Sequence, residues 1–294
     1  MEESKGGSGK VLDFFLPGMI HIGKEKGKYP AVSITGRVCK LGCLHCKGEL
    51  LQEMIPCRTP QELLKILEKL EKQGMQGVLI TGGCDRDGRL PWNRFLPAVK
   101  EFNGSLFLSA HAGLNVDKKI AIEMREAGIS QVLVDVVGDE ETLREIYKIK
   151  NPEVVKKSLY NLFNYGPEVI PHVIIGINKG RIKGEYKALD ILSKYGPRLV
   201  ILVVVMPLNP LFSPPPVNEV IDVFKKARSI FKKIGLGCAR PRGIYRYILE
   251  EQLIEKGLVD RIAIWSDRAI EKAKKMGYKI KYHYTCCSVL KDEV

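Results

Sequence analysis

Three cysteines at C-x3-C-x2-C spacing, Cys39, Cys43 and Cys46 in Cys39-Lys-Leu-Gly-Cys43-Leu-His-Cys46, are the residues of this chain best suited to chemistry. They follow the apolar run Ala31-Val-Ser-Ile-Thr35, which places them on a loop leaving a buried strand. Three thiolates can bind three irons of a 4Fe-4S cube and leave the fourth iron open to a small molecule. Two other uses of such thiols are a structural zinc site, which normally closes with four ligands, and a ferredoxin-type electron-transfer loop, which uses other spacings and a fourth cysteine.

A loop of this kind needs a rigid support. From residue 31 onward, short β-branched runs alternate with amphipathic helical patterns, as in repeated βα units around a parallel sheet. Strands are predicted over 31–35, 77–81, 106–109, 131–137, 169–175, 199–205, 234–237 and 261–264. Eight strands predict an α/β fold, a (β/α)8 TIM-type barrel over 31–294 with an N-terminal segment, 1–30, and a C-terminal extension. Within that segment, the apolar stretch 11–22 is expected to cover one end of the fold. Helix signals support the alternation: Thr59-Pro60-Gln61-Glu62 combines an N-cap, a first-turn proline and a capping-box acid. Asn151-Pro152 and Ser266 open two further helices, and an extra helix is expected between the fourth and fifth strands.

The 294 residues suffice for one large domain, and no stretch approaches the roughly 20 apolar residues of a membrane span. The N-terminus does not resemble a signal peptide, so the expected location is the cytoplasm. There, eight cysteines point to metal or redox chemistry rather than disulfides. A formal net charge of +13 fits an anionic partner, or simply Lys-rich solvated helix faces.

Barrel enzymes keep their sites at the C-terminal ends of the strands. Residues expected there include Gly82, Gly83, Cys84 and Asp85 after the second strand, His111 after the third, and Asp135 in the fourth. Gly176 follows the fifth and Met206 the sixth, while Cys238, Arg240 and Arg242 follow the seventh. If the C-terminal segment folds back over the barrel mouth, Cys286 and Cys287 can join Cys238 in a second iron-sulfur site, with Cys57 and Cys84 as lesser candidates. The other reading of these thiols is reduced or redox-active cysteines, and Arg240 and Arg242 are suited to an anionic group or to an ordinary surface.

The cysteine loop resembles the signature of the radical S-adenosylmethionine (SAM) enzymes. The resemblance implies a 4Fe-4S cluster on Cys39, Cys43 and Cys46, with SAM chelating the open iron. His45 stands where the family usually has an aromatic residue, and an imidazole is planar and packs similarly. Gly82-Gly83 is similar to the family's Gly-Gly-Glu element for the SAM amino group, with Cys84 and Asp85 in place of the acid, so backbone carbonyls or Asp85 take that role. By position at the C-terminal ends of the strands, His111 is a catalytic candidate for a hydrogen bond to substrate or SAM, or else a structural histidine, and Asp135 is a partner for a ribose hydroxyl, or else an acid hydrogen-bonded inside the barrel. The Gly176 and Met206 segments look like those that approach the nucleoside in biotin-synthase-like proteins. The expected reaction is reductive SAM cleavage to a 5′-deoxyadenosyl radical that abstracts hydrogen, with sulfur insertion in lipoyl or biotin-like cofactor biosynthesis as the specific reading. Within the superfamily the segments look most like the biotin synthase and lipoyl synthase branch, and the chain resembles archaeal two-component lipoyl synthase subunits. Implied partners are a ferredoxin- or flavodoxin-type electron donor, an acidic lipoyl-carrier domain and a second synthase subunit, with no membrane. RNA modification and a non-enzymatic iron-sulfur electron carrier are the alternatives.

Overall fold

The structure, a computed structural model, describes residues 9–18 and 20–290. The chain opens with β1 (Val11–Phe15) and a hairpin of β2 (His21–Ile22) and β3 (Glu25–Lys26). Next come β4 (Ala31–Ser33), the cysteine loop, β5 (Ile55–Pro56) and α1 (Pro60–Lys72). β6 (Gly77–Thr81), α2 (Trp92–Glu101), β7 (Phe107–His111), α3 (Lys118–Glu126) and β8 (Gln131–Asp135) continue the alternation. The expected extra helix is α4 (Glu140–Glu145), ahead of α5 (Glu153–Tyr165). The remaining units are β9 (Glu168–Ile175), α6 (Glu185–Ser193), β10 (Val200–Val204), α7 (Val217–Ile230), β11 (Ile234–Leu236), α8 (Ile244–Glu255), β12 (Arg261–Ala263), α9 (Asp267–Lys275) and β13 (Lys279–His283). The helix starts follow their sequence signals: Thr59 Oγ1 accepts from Glu62 N at 3.2 Å and Ser266 Oγ from Ala269 N at 3.2 Å.

Eleven strands form one parallel sheet in the order β13, β1, β12, β11, β10, β9, β8, β7, β6, β4, β5. All eight predicted strands lie in it. The TIM-type α/β fold is thus realised as an open curled sheet, a half-barrel with edges at β13 and β5, rather than as a closed ring.

The N-terminal stretch differs from expectation. Instead of covering one end, it inserts β1 between β12 and β13, with Asp13 opposite both Arg261 and Lys281. Leu12, Phe14 and Leu16 are buried in the main core, while Phe15 packs in a second cluster and stacks on His283 at 4.5 Å. With both faces largely buried, the strand reads as a mostly apolar run, interrupted by Asp13, without period.

Side-chain alternation divides the sheet into two faces. Val169, Val173, Val200, Leu202 and Val204 pack with helix residues such as Leu189, Val220 and Phe224 in the main core. Ile170, Ile201, Val203 and Ala263 form a separate cluster with Cys287. The C-terminal segment therefore lies against the face turned away from the helices and does not close over the mouth. Gln131 Nε2 donates to Ser288 O at 2.9 Å, and Arg261 Nη1 donates to Cys287 O at 3.1 Å and Val289 O at 2.7 Å. Gln131 and Arg261 begin β8 and β12, and as buried polar groups they need partners that the tail backbone supplies.

Among the described residues no helix is long and apolar enough to cross a membrane. Phe14, fully buried against Trp265 and Tyr282, tests the place of β1: Phe14→Ala should cost about 3–5 kcal/mol in urea unfolding, whereas a peripheral cover would lose well under about 1 kcal/mol.

Candidate active site

The cysteine loop leaves β4 and returns at β5, and its shape is set by the end of β6. Cys84 O accepts from Lys40 N at 2.8 Å and from Leu41 N at 3.1 Å. Thr35 Oγ1 accepts from Gly83 N at 2.7 Å and donates to Val38 O at 3.0 Å. Any Cβ on Gly83 would overlap the Val38 carbonyl oxygen and Cys39 Cα, so only glycine lets these two segments touch. On the other side the loop rests on the turn after α4. Leu44 N donates to Ile146 O at 2.8 Å and Cys43 Sγ to Tyr147 O at 3.6 Å. The loop after β10 adds a third support, Asn209 Nδ2 donating to Leu44 O at 3.0 Å.

The three thiols are free and line one cavity of about 190 Å³. Gly82, Gly83, His111 and Asp135 line the same cavity, as do His45 and Tyr147. Burial pushes the Cys43 thiol up, with Cys46 and Cys39 adding to it, and burial likewise raises Cys46. Bound irons would supply the positive charge that makes these groups thiolates. The thiols, the glycine contact and the shared cavity fit a cluster bound at this loop. Among the described residues no three His, Cys, Asp or Glu side chains converge on a single metal ion, as a closed zinc site requires.

A polar wall faces the thiols. His111 Nε2 lies 3.8 Å from Asp135 Oδ1, and the Tyr147 hydroxyl donates to Asp135 Oδ2 at 3.4 Å. Burial alone would raise the Asp135 carboxyl, but His111, then His172 and His45, hold it below its ordinary value. Burial lowers His172 to about 4 and also lowers His45, so both rings are neutral near pH 7. His45 packs on Tyr147 at 5.2 Å between ring centres, as expected of a planar residue there, and its buried Nδ1 has no hydrogen-bond partner among the described residues.

The Radical SAM superfamily model matches residues 33–189, more than half of the chain. The chain belongs to the radical SAM superfamily. The matched span runs from the end of β4 into α6 and contains the whole cavity wall described above. The family implies a 4Fe-4S cluster and SAM. Methylornithine synthase PylB shares the fold at a TM-score of 0.56 and 16% identity, over 93% of this chain and 84% of its own. The [FeFe]-hydrogenase maturase HydG gives 0.58 and 13%, over 90% and 60%. Streptococcus suis SuiB bound to S-adenosylmethionine gives 0.52 and 9%, over 82% of this chain and 51% of its own. At these identities the likeness is one of fold, and the chain spans little more than half of SuiB. No curated protein sequence matches the chain.

Several expected residues stand elsewhere. Asp85 lines a neighbouring groove, and its Oδ1 accepts from Asp87 N and Arg89 N, both at 2.9 Å, so its carboxylate organises its own turn. Gly176, at φ 79°, packs on the Pro215 ring and donates its N–H to Glu185 Oε1 at 2.7 Å. Neither Gly176 nor Met206 lines the cavity. Cys57 is a fully buried core residue and Cys84 lines the radical SAM cavity, so neither belongs with Cys238. Cys238, Cys286 and Cys287 instead share the cluster on the inner face, with Cys286 Sγ 2.9 Å from Ser288 Oγ. Arg240 is fully buried on Glu250 and the Gly237 and Ile264 carbonyls, and is not free to take an anion. Tyr147, just after α4, had no sequence signal that marked it for the cavity.

Two outcomes follow from this geometry. Gly83→Ala should sharply reduce the iron retained after reconstitution while leaving far-UV circular dichroism unchanged; full iron retention would contradict the close contact. The unfolded chain protonates His172 near its usual value of about 6.5, the folded chain only near about 4. Stability should therefore fall as pH drops through that window. In thermal melts of cluster-free protein, His172→Gln should lose less stability than wild type between these pH values, and parallel losses would contradict the assignment.

Proposed function

We propose that Cys39, Cys43 and Cys46 hold the 4Fe-4S cluster and that the chain uses SAM to insert sulfur in lipoyl or biotin-like cofactor biosynthesis. The observation that carries the first half is the convergence of three free thiols, Cys43 buried and Cys39 and Cys46 partly so, on one cavity with the Gly82-Gly83 backbone. When bound, the cluster and SAM supply one-electron cleavage of SAM and a radical that takes hydrogen from an unactivated carbon.

The chain's own groups bind and orient. The Gly82-Gly83 backbone offers carbonyls to the SAM amino group, and Asp135, kept ionised, accepts hydroxyl hydrogens from the nucleoside. His111, half-exposed beside Asp135, donates to or accepts from substrate at Nε2. Tyr147 and His45 form the wall that excludes water. Sulfur insertion is supported by Cys238, Cys286 and Cys287 gathering in one apolar cluster, with the Ser288 hydroxyl against Cys286. In this reading they form the second iron-sulfur site, and the basic surface serves an acidic carrier domain and an electron donor.

Iron and sulfide per chain after anaerobic reconstitution test both halves. About eight irons should fall to about four when Cys39, Cys43 and Cys46 are all alanine, and to about four when Cys238, Cys286 and Cys287 are. SAM cleavage should vanish only in the first variant. Cys84→Ala should keep the iron and the SAM-induced spectral change. A spectrum indifferent to SAM would leave an electron carrier, and four irons untouched by the second variant would remove the sulfur-insertion reading.

A further inference from the structure

A second cavity, of about 520 Å³, lies away from the cysteine loop, where the loops after β11 and β12 meet the start of α9. Counted from β4, these are the seventh and eighth barrel strands, whose loops, with a nearby helix N-terminus, frequently bind phosphate in barrel enzymes. Position alone would not make a site. The side chains here do more.

Three arginines line the cavity, Arg242, Arg246 and Arg268. Arg268 is matched by Glu251, with Nε to Oε1 at 2.5 Å and Nη2 to Oε2 at 3.1 Å. Glu250 is held by Arg240 and by Ser266, which donates both its N–H, at 3.0 Å, and its hydroxyl, at 2.5 Å. Arg246 Nε stands 3.9 Å from that shared Glu250 and has no hydrogen-bond partner. Arg242 is exposed to the cavity, with neither ion pair nor hydrogen bond among the described residues. Asp267 is the acid lining the cavity, so cationic charge remains in excess there. The charges of Arg240 and Arg246 act on Arg242 as well, so an anion bound here meets more than one cation.

The rest of the wall is apolar and aromatic. The Tyr247 ring has the Arg246 and Arg268 guanidinium carbons each 5.4 Å from its centre, and Trp265, Ile20 and Ile22 complete the lining. Guanidinium groups match carboxylate and phosphate oxygens, while the wall suits a hydrocarbon or ring. A concave cavity of this size takes a small molecule rather than the face of a protein.

We propose that this cavity binds an organic anion, a carboxylate or phosphate monoester on an aromatic or aliphatic body, with the charge between Arg242 and Arg246 and the body against Tyr247 and Trp265. Like the cysteine loop, it lies at the C-terminal ends of the parallel strands. As an anchor for the radical enzyme's substrate, the site rests on the function proposed above; as an anion site it does not.

Isothermal titration of the reconstituted full chain with phenyl phosphate, benzoate, inorganic phosphate and benzyl alcohol tests it by binding alone. One or both aromatic anions should bind, more tightly than inorganic phosphate, and benzyl alcohol should not. The tighter of the two identifies a phosphate or a carboxylate ligand. Arg242→Ala and Arg246→Met should each weaken binding by about tenfold or more, and added salt should weaken it further. Thermal melts establish that both variants fold. Absence of binding by either anion, equal binding of benzyl alcohol, or unchanged affinity in a folded Arg242→Ala variant would overturn the site. Each readout is independent of iron content and SAM cleavage, so failure here is distinguishable from failure of the radical chemistry.

Discussion

The contact between the end of β6 and the cysteine loop is the constraint on which the site depends. A single carbonyl, that of Cys84, receives two successive amides of the loop, and Gly83 next to it has no room for a side chain. The loop's position is thereby tied to the sheet rather than to its own turns. The other two supports, the turn after α4 and Asn209, come from segments distant in sequence, and together they aim three thiols at one cavity.

Electrostatics then divide the cavity. On one side, burial keeps the thiols of Cys43 and Cys46 from ionising without a cation. On the other, His111, Asp135 and Tyr147 form a chain of polar groups whose carboxylate stays charged. This asymmetry suits the proposed cluster and nucleoside, and it arises because loops from β4, β6, β7 and β8 meet at one rim. The arginines beyond β11 and β12 extend the same rim with opposite charge.

The inner face is filled by the chain's own end. β1 lies between the last two strands of the sheet, and the backbone of 287–290 bonds the Gln131 amide and Arg261 Nη1. β1 and residues 286–290 thus both contribute to the cluster on the face turned away from the helices. That arrangement leaves the rim open while removing apolar surface from the other face.

The eight internal strands, the extra helix and the caps at Thr59 and Ser266 were legible because β-branched runs, N-cap residues and helical periodicity are local signals. The thiol triad was legible because its three cysteines lie within eight consecutive residues. β1 was not, since burial on both faces erases the alternation that marks a strand, and the curl of the sheet was not, since closure depends on long-range pairing. Gly82 and Gly83 line the cavity with the cysteines, but Asp85 is engaged in its own turn and lines a neighbouring groove. The roles of Tyr147 as wall, Cys57 as core and Arg240 as a buried strut depend on which segments pack against them. Sequence by itself thus determined the fold class, the cysteine loop's place after its strand and the superfamily, through residue types at short spacing. Only the tertiary structure decided which distant side chains share a cavity, because that depends on strand order and on the space left between backbones.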